Sequence, residues 1–438
     1  MPLTWHADLA WLGDAPVADV LITAAAGRFT SVTPGVPRPA GAERLRGLTL
    51  PGLANAHSHA FHRALRGRTH AGRGTFWTWR EQMYAVAARL TPESYLRLAR
   101  AVFAEMALAG ITCVGEFHYL HHGPGGRRYD DPNEMGTALV EAAAQAGIRI
   151  TLLDTCYLTA SVAGDPLDGV ALRFGDGTAA AWGERAGAVR TGPHARLGAA
   201  VHSVRAVPRD QIPDVVAWAT ARRAPLHVHL SEQRAENEAA VAAHGRTPTG
   251  LLAEAGALGP GTTVAHATHL TAHDIDALGG SRTRVCLCPT TERDLGDGIG
   301  PAAALAAAGS PLCTGSDSHA VIDPLEEARA VELHERLRTE QRGHFTAAAL
   351  VRTATAGGHA SLGWDDAGTI TVGARADLVT VTLDAPRTAG TDPAGIVFAA
   401  TAADVTDVVV DGDRIVRDGR HTRLDVPREL REAIAWLS

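Results

Sequence analysis

Residues 49–65 read TLPGLANAHSHAFHRAL: an apolar run, a Pro-Gly pair, and then two histidines, His57 and His59, with one serine between them. A short apolar run bounded by turn residues is the pattern of a buried strand. Side chains two apart on a strand point the same way, so both imidazoles face one side and Ser58 the other. Two imidazoles aimed together at a strand end suit a metal ion. An HxH taken alone is nevertheless a common chance motif, and it reads equally as two polar loop residues.

Seven further runs share the apolar pattern of LTLPGLANAH: ITCVGEFHY, IRITLLDTC, RLGAAVHSV, PLHVHLSE, TTVAHATHL, TRVCLCPT and PLCTGSDS. Helical patterns lie between them, at 91–109, 133–146, 234–255 and 324–342. Alternating strands and helices predict a parallel sheet, and eight units predict a (β/α)8 TIM-type barrel. Residues 157–195, rich in Gly and Asp, read as an insertion with a short helix over one barrel face. The ends differ. ADVLITAAAGRFTSV near the start, and TITVGARADLVTVTL and VTDVVVDGDRIVRDG near the finish, alternate and carry turn signals. They predict antiparallel strands that fold together as a small β-sandwich domain. The expected division is 1–48 plus 367–438 for that domain and 49–366 for the barrel.

The chain has 438 residues, of which 45% are hydrophobic, enough for a large core. A formal charge of -7 argues against a nucleic-acid surface and leaves a small anionic substrate open. All 41 basic residues are arginine. The absence of lysine excludes a Schiff base, a phosphate-loop lysine and a carboxylated lysine bridging two metals. Five cysteines without a CxxC pair, Cys113, Cys156, Cys286, Cys288 and Cys313, predict buried thiols in a reducing cytoplasm. The start lacks a signal-peptide pattern, and no run approaches ~18 apolar residues, so no membrane contact is expected.

HVHLSEQ places His229 and Glu232 after the fifth strand, VAHATHL places His266 after the sixth, and TGSDSH places Asp317 after the eighth. With the HxH, these groups all fall at strand C-termini, the face on which such barrels carry their sites. Four independent placements in one mouth point to a site rather than to chance.

These residues carry a resemblance. The HxH after Pro-Gly, the later His, His and Asp, and the closing GARADLV resemble the amidohydrolase superfamily over almost the whole chain. HSHAFHRAL, FWTWREQMY, EFHYLHH, AVHSVRAV, HVHLSEQ, LGDGI and GSDSH narrow the likeness to the N-formimidoyl-L-glutamate deiminases. The resemblance implies one divalent metal, zinc, held by His57, His59, His229 and Asp317. Glu232, His266 and Asp317 are then the catalytic groups. His62, Arg80, Tyr119, His202 and Arg205 bind the substrate's two carboxylates, although glutamine can stand in the family where this chain has His62. A homodimer is also implied. The missing lysine separately favours a single metal.

Each residue has a plainer reading: Glu232 as an acid at a helix N-terminus, the arginines as solvated surface, Tyr119 as a packed ring, and Trp77 and Trp79 as loop packing. The nearest rival function is another mononuclear deaminase, acting on guanine, a cytosine-like ring or an adenosine derivative. A rival from a different class is a non-catalytic barrel serving as a scaffold. Retention of every candidate ligand and proton-transfer group speaks against it.

Overall fold

The apolar run that opens the HxH motif serves two sheets, and the chain changes sheet at Gly52. A Cβ there would lie 2.5 Å from Thr112 Oγ1 and 2.6 Å from Asp377 Cβ, so no side chain fits between the layers. The single strand expected over LTLPGLANAH is therefore two. The computed structural model describes residues 3–70, 74 and 76–437. In it β1 (Leu3–Leu12), β2 (Ala15–Ala25), β3 (Arg28–Thr33) and β4 (Glu43–Pro51) precede the break. The barrel strands follow it: β5 (Leu53–Ser58), β6 (Ile111–His118), β7 (Arg149–Cys156), β8 (Ala195–Val201), β9 (Leu226–Leu230), β10 (Thr262–His266), β11 (Arg284–Leu287) and β12 (Leu312–Thr314). Near the C-terminus come β13 (Leu378–Val381), β14 (Val405–Val410), β15 (Asp413–Arg417) and β16 (Arg420–His421).

Strands β5 to β12 pair in parallel in chain order, and each leads to at least one helix. β6 and β7 are buried at every position, as strands covered on both faces must be. The sheet closes through a parallel bridge between Ser58 and Asp317. This seam matters for the site, because the Asp317 amide donates to the His57 carbonyl at 3.0 Å and the His59 amide donates to the Asp317 carbonyl at 3.3 Å. Gly315 permits the approach: a Cβ there would lie 2.7 Å from that of His57.

The other eight strands form one sheet in the order β16-β15-β14-β13-β4-β1-β2-β3, so the two chain ends meet where β4 pairs with β13. Its core includes Trp5, Ile22, Phe29, Leu45, Leu378 and Val409. All its pairs are antiparallel as expected except β1 with β4, which run parallel. The chain must cross over after β3 to bring β4 beside β1, and no local pattern records that crossover.

Two expected elements divide differently. The helical pattern at 234–255 forms two helices, Arg234–His244 and Pro248–Glu254. Gly245 ends the first in the left-handed conformation (φ 65°), and Thr247 caps the second ahead of Pro248. The 157–195 insertion does contain a short helix, Ala179–Gly187, but it is clamped in place. Arg185 pairs with the buried carboxylates of Asp154 at 2.8 Å and Asp176 at 2.9 Å, and His122 reaches Asp176 at 2.9 Å. All five cysteines are buried and free. Among the described residues no helix is long and apolar enough to cross a membrane.

Candidate active site

The strand ends converge as their sequence positions suggest. His57 and His59 leave β5, His229 lies on β9, His266 ends β10, and Asp317 follows β12. Nε2 of His57 lies 3.0 Å from Nε2 of His229, which in turn lies 3.3 Å from Nε2 of His59. Asp317 Oδ1 is 3.4 Å from His57 Nε2 and 3.2 Å from His59 Nε2. The remaining ring nitrogens fix two of the tautomers. His59 Nδ1 donates to the Phe117 carbonyl at 3.0 Å, and His229 Nδ1 donates to the His202 carbonyl at 2.8 Å. Burial lowers His57 to about 3 and lowers His229 as well, so both rings are neutral at physiological pH.

With Nδ1 the donor on both rings, the Nε2 lone pairs of His59 and His229 face each other at 3.3 Å. That arrangement is repulsive unless a cation lies between them. Ligands about 2.0–2.1 Å from a tetrahedral zinc stand about 3.3–3.4 Å apart, which matches these spacings. Backbone carbonyls on the far nitrogens of ligating histidines are a usual companion of metal sites. The donor set therefore fits a divalent metal. Two overlapping groups of donors could hold it: His57, His229, His266 and Asp317 lie within 4.8 Å of one another, and so do His59, His62 and Asp317.

Around this cluster the carboxylates differ in state. Burial would raise Asp317, but the imidazoles of His57 and His59 against its Oδ1 hold it well below the usual carboxylate range. Burial raises Glu232, with Asp317 and Glu292 adding to the effect. His266 Nε2 lies 3.8 Å from Glu232 and 3.9 Å from Asp317, and its Nδ1 is 3.5 Å from Glu292. Burial opposes protonation of His266, yet these acids raise its pKa well above the ordinary value. His266 and Asp317 also adopt left-handed backbone, with φ of 69° and 39°, a strain typical of functional positions.

A cavity of about 340 Å³ opens from the cluster, and His62, Arg80, Tyr119, His202, Arg205 and Glu232 all line it. All five expected carboxylate binders thus share one chamber with the candidate metal ligands. Arg205 Nη1 donates to the Tyr157 hydroxyl at 3.1 Å and has no ion-pair partner among the described residues. Arg80 donates to the Tyr84 hydroxyl at 2.6 and 3.0 Å. His62 Nε2 is 3.1 Å from the Tyr119 hydroxyl, and Trp79 meets the His62 ring edge-on. The side chain of Trp77 lies outside the described residues.

Sequence reasoning missed the supports. Ser58, turned away from the metal cluster as expected, donates to Glu116 at 2.6 Å and contacts His319 at 3.1 Å. Glu116 also accepts the Ala60 amide at 2.7 Å, so one carboxylate holds the HxH turn from behind. Tyr84 could have been found, since it stands four residues beyond Arg80 on one helix. Nothing local marks Tyr157 or Glu116, whose partners come from other strands.

The amidohydrolase family pattern matches residues 48–415. The formimidoylglutamate deiminase of Pseudomonas aeruginosa is 39% identical over 397 residues, 87% of each chain. A crystal structure of an amidohydrolase from Brucella melitensis superposes with a TM-score of 0.91 at 32% identity, covering 99% of both chains. A zinc-bound adenosine deaminase from Xanthomonas campestris superposes with a TM-score of 0.86 at 25% identity, covering 99% of this chain and 97% of that one. The barrel, its histidine-aspartate cluster and these likenesses make the chain a member of the amidohydrolase family, a hydrolase acting on C–N bonds.

Proposed function

We propose that the protein hydrolyses N-formimidoyl-L-glutamate to N-formyl-L-glutamate and ammonia, as a cytoplasmic homodimer serving histidine degradation. One observation carries this reading: two arginines, Arg80 and Arg205, line the same cavity as the metal cluster. A dicarboxylate needs such forked donors, whereas a flat neutral base needs amide donors and apolar stacking. The relative from Pseudomonas aeruginosa bears the same activity in its name. Residues 49–366 form the catalytic unit in this reading, with 1–48 and 367–438 as its companion.

His57, His59, His229 and Asp317 would hold the ion. His266 is excluded because acids on both sides keep it a proton donor. A divalent metal held there, zinc by its nitrogen and oxygen donors, would lower the pKa of a bound water from 15.7 to about 7. Asp317 Oδ2, turned towards His266, accepts the proton as water adds to the sp2 amidine carbon. Cationic His266 stabilises the negative oxygen that forms. Glu232, whose carboxyl burial raises, carries the proton of the new hydroxyl to the terminal nitrogen, which leaves as ammonia. Arg80 and Arg205, with single donors from Tyr119, His202 and His62, hold the two carboxylates.

Ammonia release by zinc-loaded protein tests this, with N-formimidoyl-L-glutamate run beside guanine, cytosine and S-adenosylhomocysteine. Turnover of the first alone supports it. Turnover only of a base keeps the metal centre and discards the carboxylate pocket, and silence on all four restores the scaffold reading.

A further inference from the structure

Glu236 lies four residues beyond Glu232, in the first turn of the helix Arg234–His244, and lines the same cavity. The residue as a whole is half-buried, yet its Oε1 is fully buried and has no hydrogen-bond partner. Nor does Glu236 form an ion pair among the described residues. Ser203 and the Arg205 backbone amide face the carboxylate, and the charges acting on it are Arg205 and Glu232. Burial, reinforced by Glu232, pushes its carboxyl up to about 7. An acceptor buried without a partner is costly, and the place of the Glu236 residue on the cavity wall points to a partner that arrives with the ligand.

The chamber thus presents two guanidiniums, Arg80 and Arg205, and two carboxylates, Glu232 and Glu236. The proposed substrate carries the complement: two carboxylates and a cationic amidine whose charge is shared by two nitrogens. The terminal nitrogen belongs to Glu232. The inner nitrogen is bonded to the carbon that bears the α-carboxylate, so a guanidinium gripping that carboxylate brings the inner N–H alongside. Glu236 packs against Arg205. Building on the proposed function, we propose that Glu236 is a further substrate-binding residue, whose Oε1 accepts the inner N–H of the amidine and selects cationic amidines over neutral isosteres.

The test is Glu236→Gln in the zinc-loaded enzyme, which keeps the shape and removes the charge. N-formimidoyl-L-glutamate serves as substrate, and its product N-formyl-L-glutamate serves as a neutral inhibitor of the same shape. We expect KM for the amidine to rise about 10- to 100-fold, the range of a charge-assisted hydrogen bond, with kcat within about threefold. The inhibition constant of the neutral ligand stays within about twofold, which also shows that the pocket is folded, and Glu236→Asp recovers part of the lost affinity. Equal weakening of both ligands overturns the proposal, because it would mean that Glu236 acts only by placing Arg205. No change for either ligand overturns it as well. Wild-type enzyme that fails on N-formimidoyl-L-glutamate overturns the functional reading and this proposal together, whereas wild-type turnover with an unchanged ligand ratio in the variant overturns this proposal alone.

Discussion

The two ends of the barrel handle buried charge in opposite ways. At the N-terminal end, beneath the small domain, Arg149 opens β7 and pairs with Asp377 and with Asp411, the latter at 3.1 Å. Arg375 reaches Asp411 at 3.0 Å and Asp366 at 3.2 Å, and the guanidiniums of Arg149, Arg196 and Arg375 surround the Trp364 ring. Here cations meet anions, and the pairs join the two sheets. At the C-terminal mouth, the Nε2 lone pairs of His59 and His229 face one another at 3.3 Å, Arg205 forms no ion pair among the described residues, and His266 and Asp317 hold strained backbone. The first region is complete as folded. On the proposed reading the second is completed by a metal and an anion, which is how a functional site differs from a stabilising one.

The difference can be broken by substitution at either end. The largest effect is expected at the mouth: Glu232→Gln lowers kcat by about 10²- to 10⁴-fold while the melting temperature stays within about 2 °C. Steady-state kinetics beside a thermal scan checks it, and a large fall in melting temperature would make Glu232 structural. The reverse pattern is expected below. Arg149→Met leaves Asp377 buried without its partner and costs about 3–5 kcal/mol in denaturant unfolding, with kcat/KM of the remaining folded enzyme unchanged.

Arg205→Ala sharpens the comparison, because it removes a charge that forms no ion pair among the described residues. It is expected to lower kcat/KM for N-formimidoyl-L-glutamate by about 30-fold to a few thousand-fold, roughly 2–5 kcal/mol, without a matching loss of stability. Unaltered kinetics would remove Arg205 from the pocket. Smaller still is a pH effect. Burial raises Asp377 but Arg149 holds it below the ordinary carboxylate value. A depressed folded pKa contributes stability above the unfolded value of about 3.9, and that stability disappears as pH falls through the folded value. Urea unfolding between about pH 5 and pH 2 should therefore show an acid-dependent loss that Arg149→Met diminishes.

The barrel was legible because its chemistry coincides with its strand ends. HxH, HVHLSE, VAHATH and GSDSH each mark a strand and a ligand together, so a wrong strand would have misplaced its histidine or aspartate. The split at Gly52 was not legible, since Leu50, Pro51, Leu53 and Ala54 continue the apolar run on both sides of it and only the close approach of Thr112 and Asp377 requires the break. The parallel β1–β4 pair and the Arg185 clamp on the insertion depend on partners distant in sequence. The candidate ligands could be named from their motifs, but the opposed lone pairs that call for a cation, and the unpartnered Glu236 oxygen, exist only in three dimensions.

The most direct test is a crystal structure of zinc-loaded protein with anomalous data collected at the zinc edge. A single peak at about 2.0–2.2 Å from His57 Nε2, His59 Nε2, His229 Nε2 and Asp317 Oδ1 is the expected result. A peak bound through His266 in place of His59, a second full-occupancy peak at His62, or no peak in this cluster would contradict it.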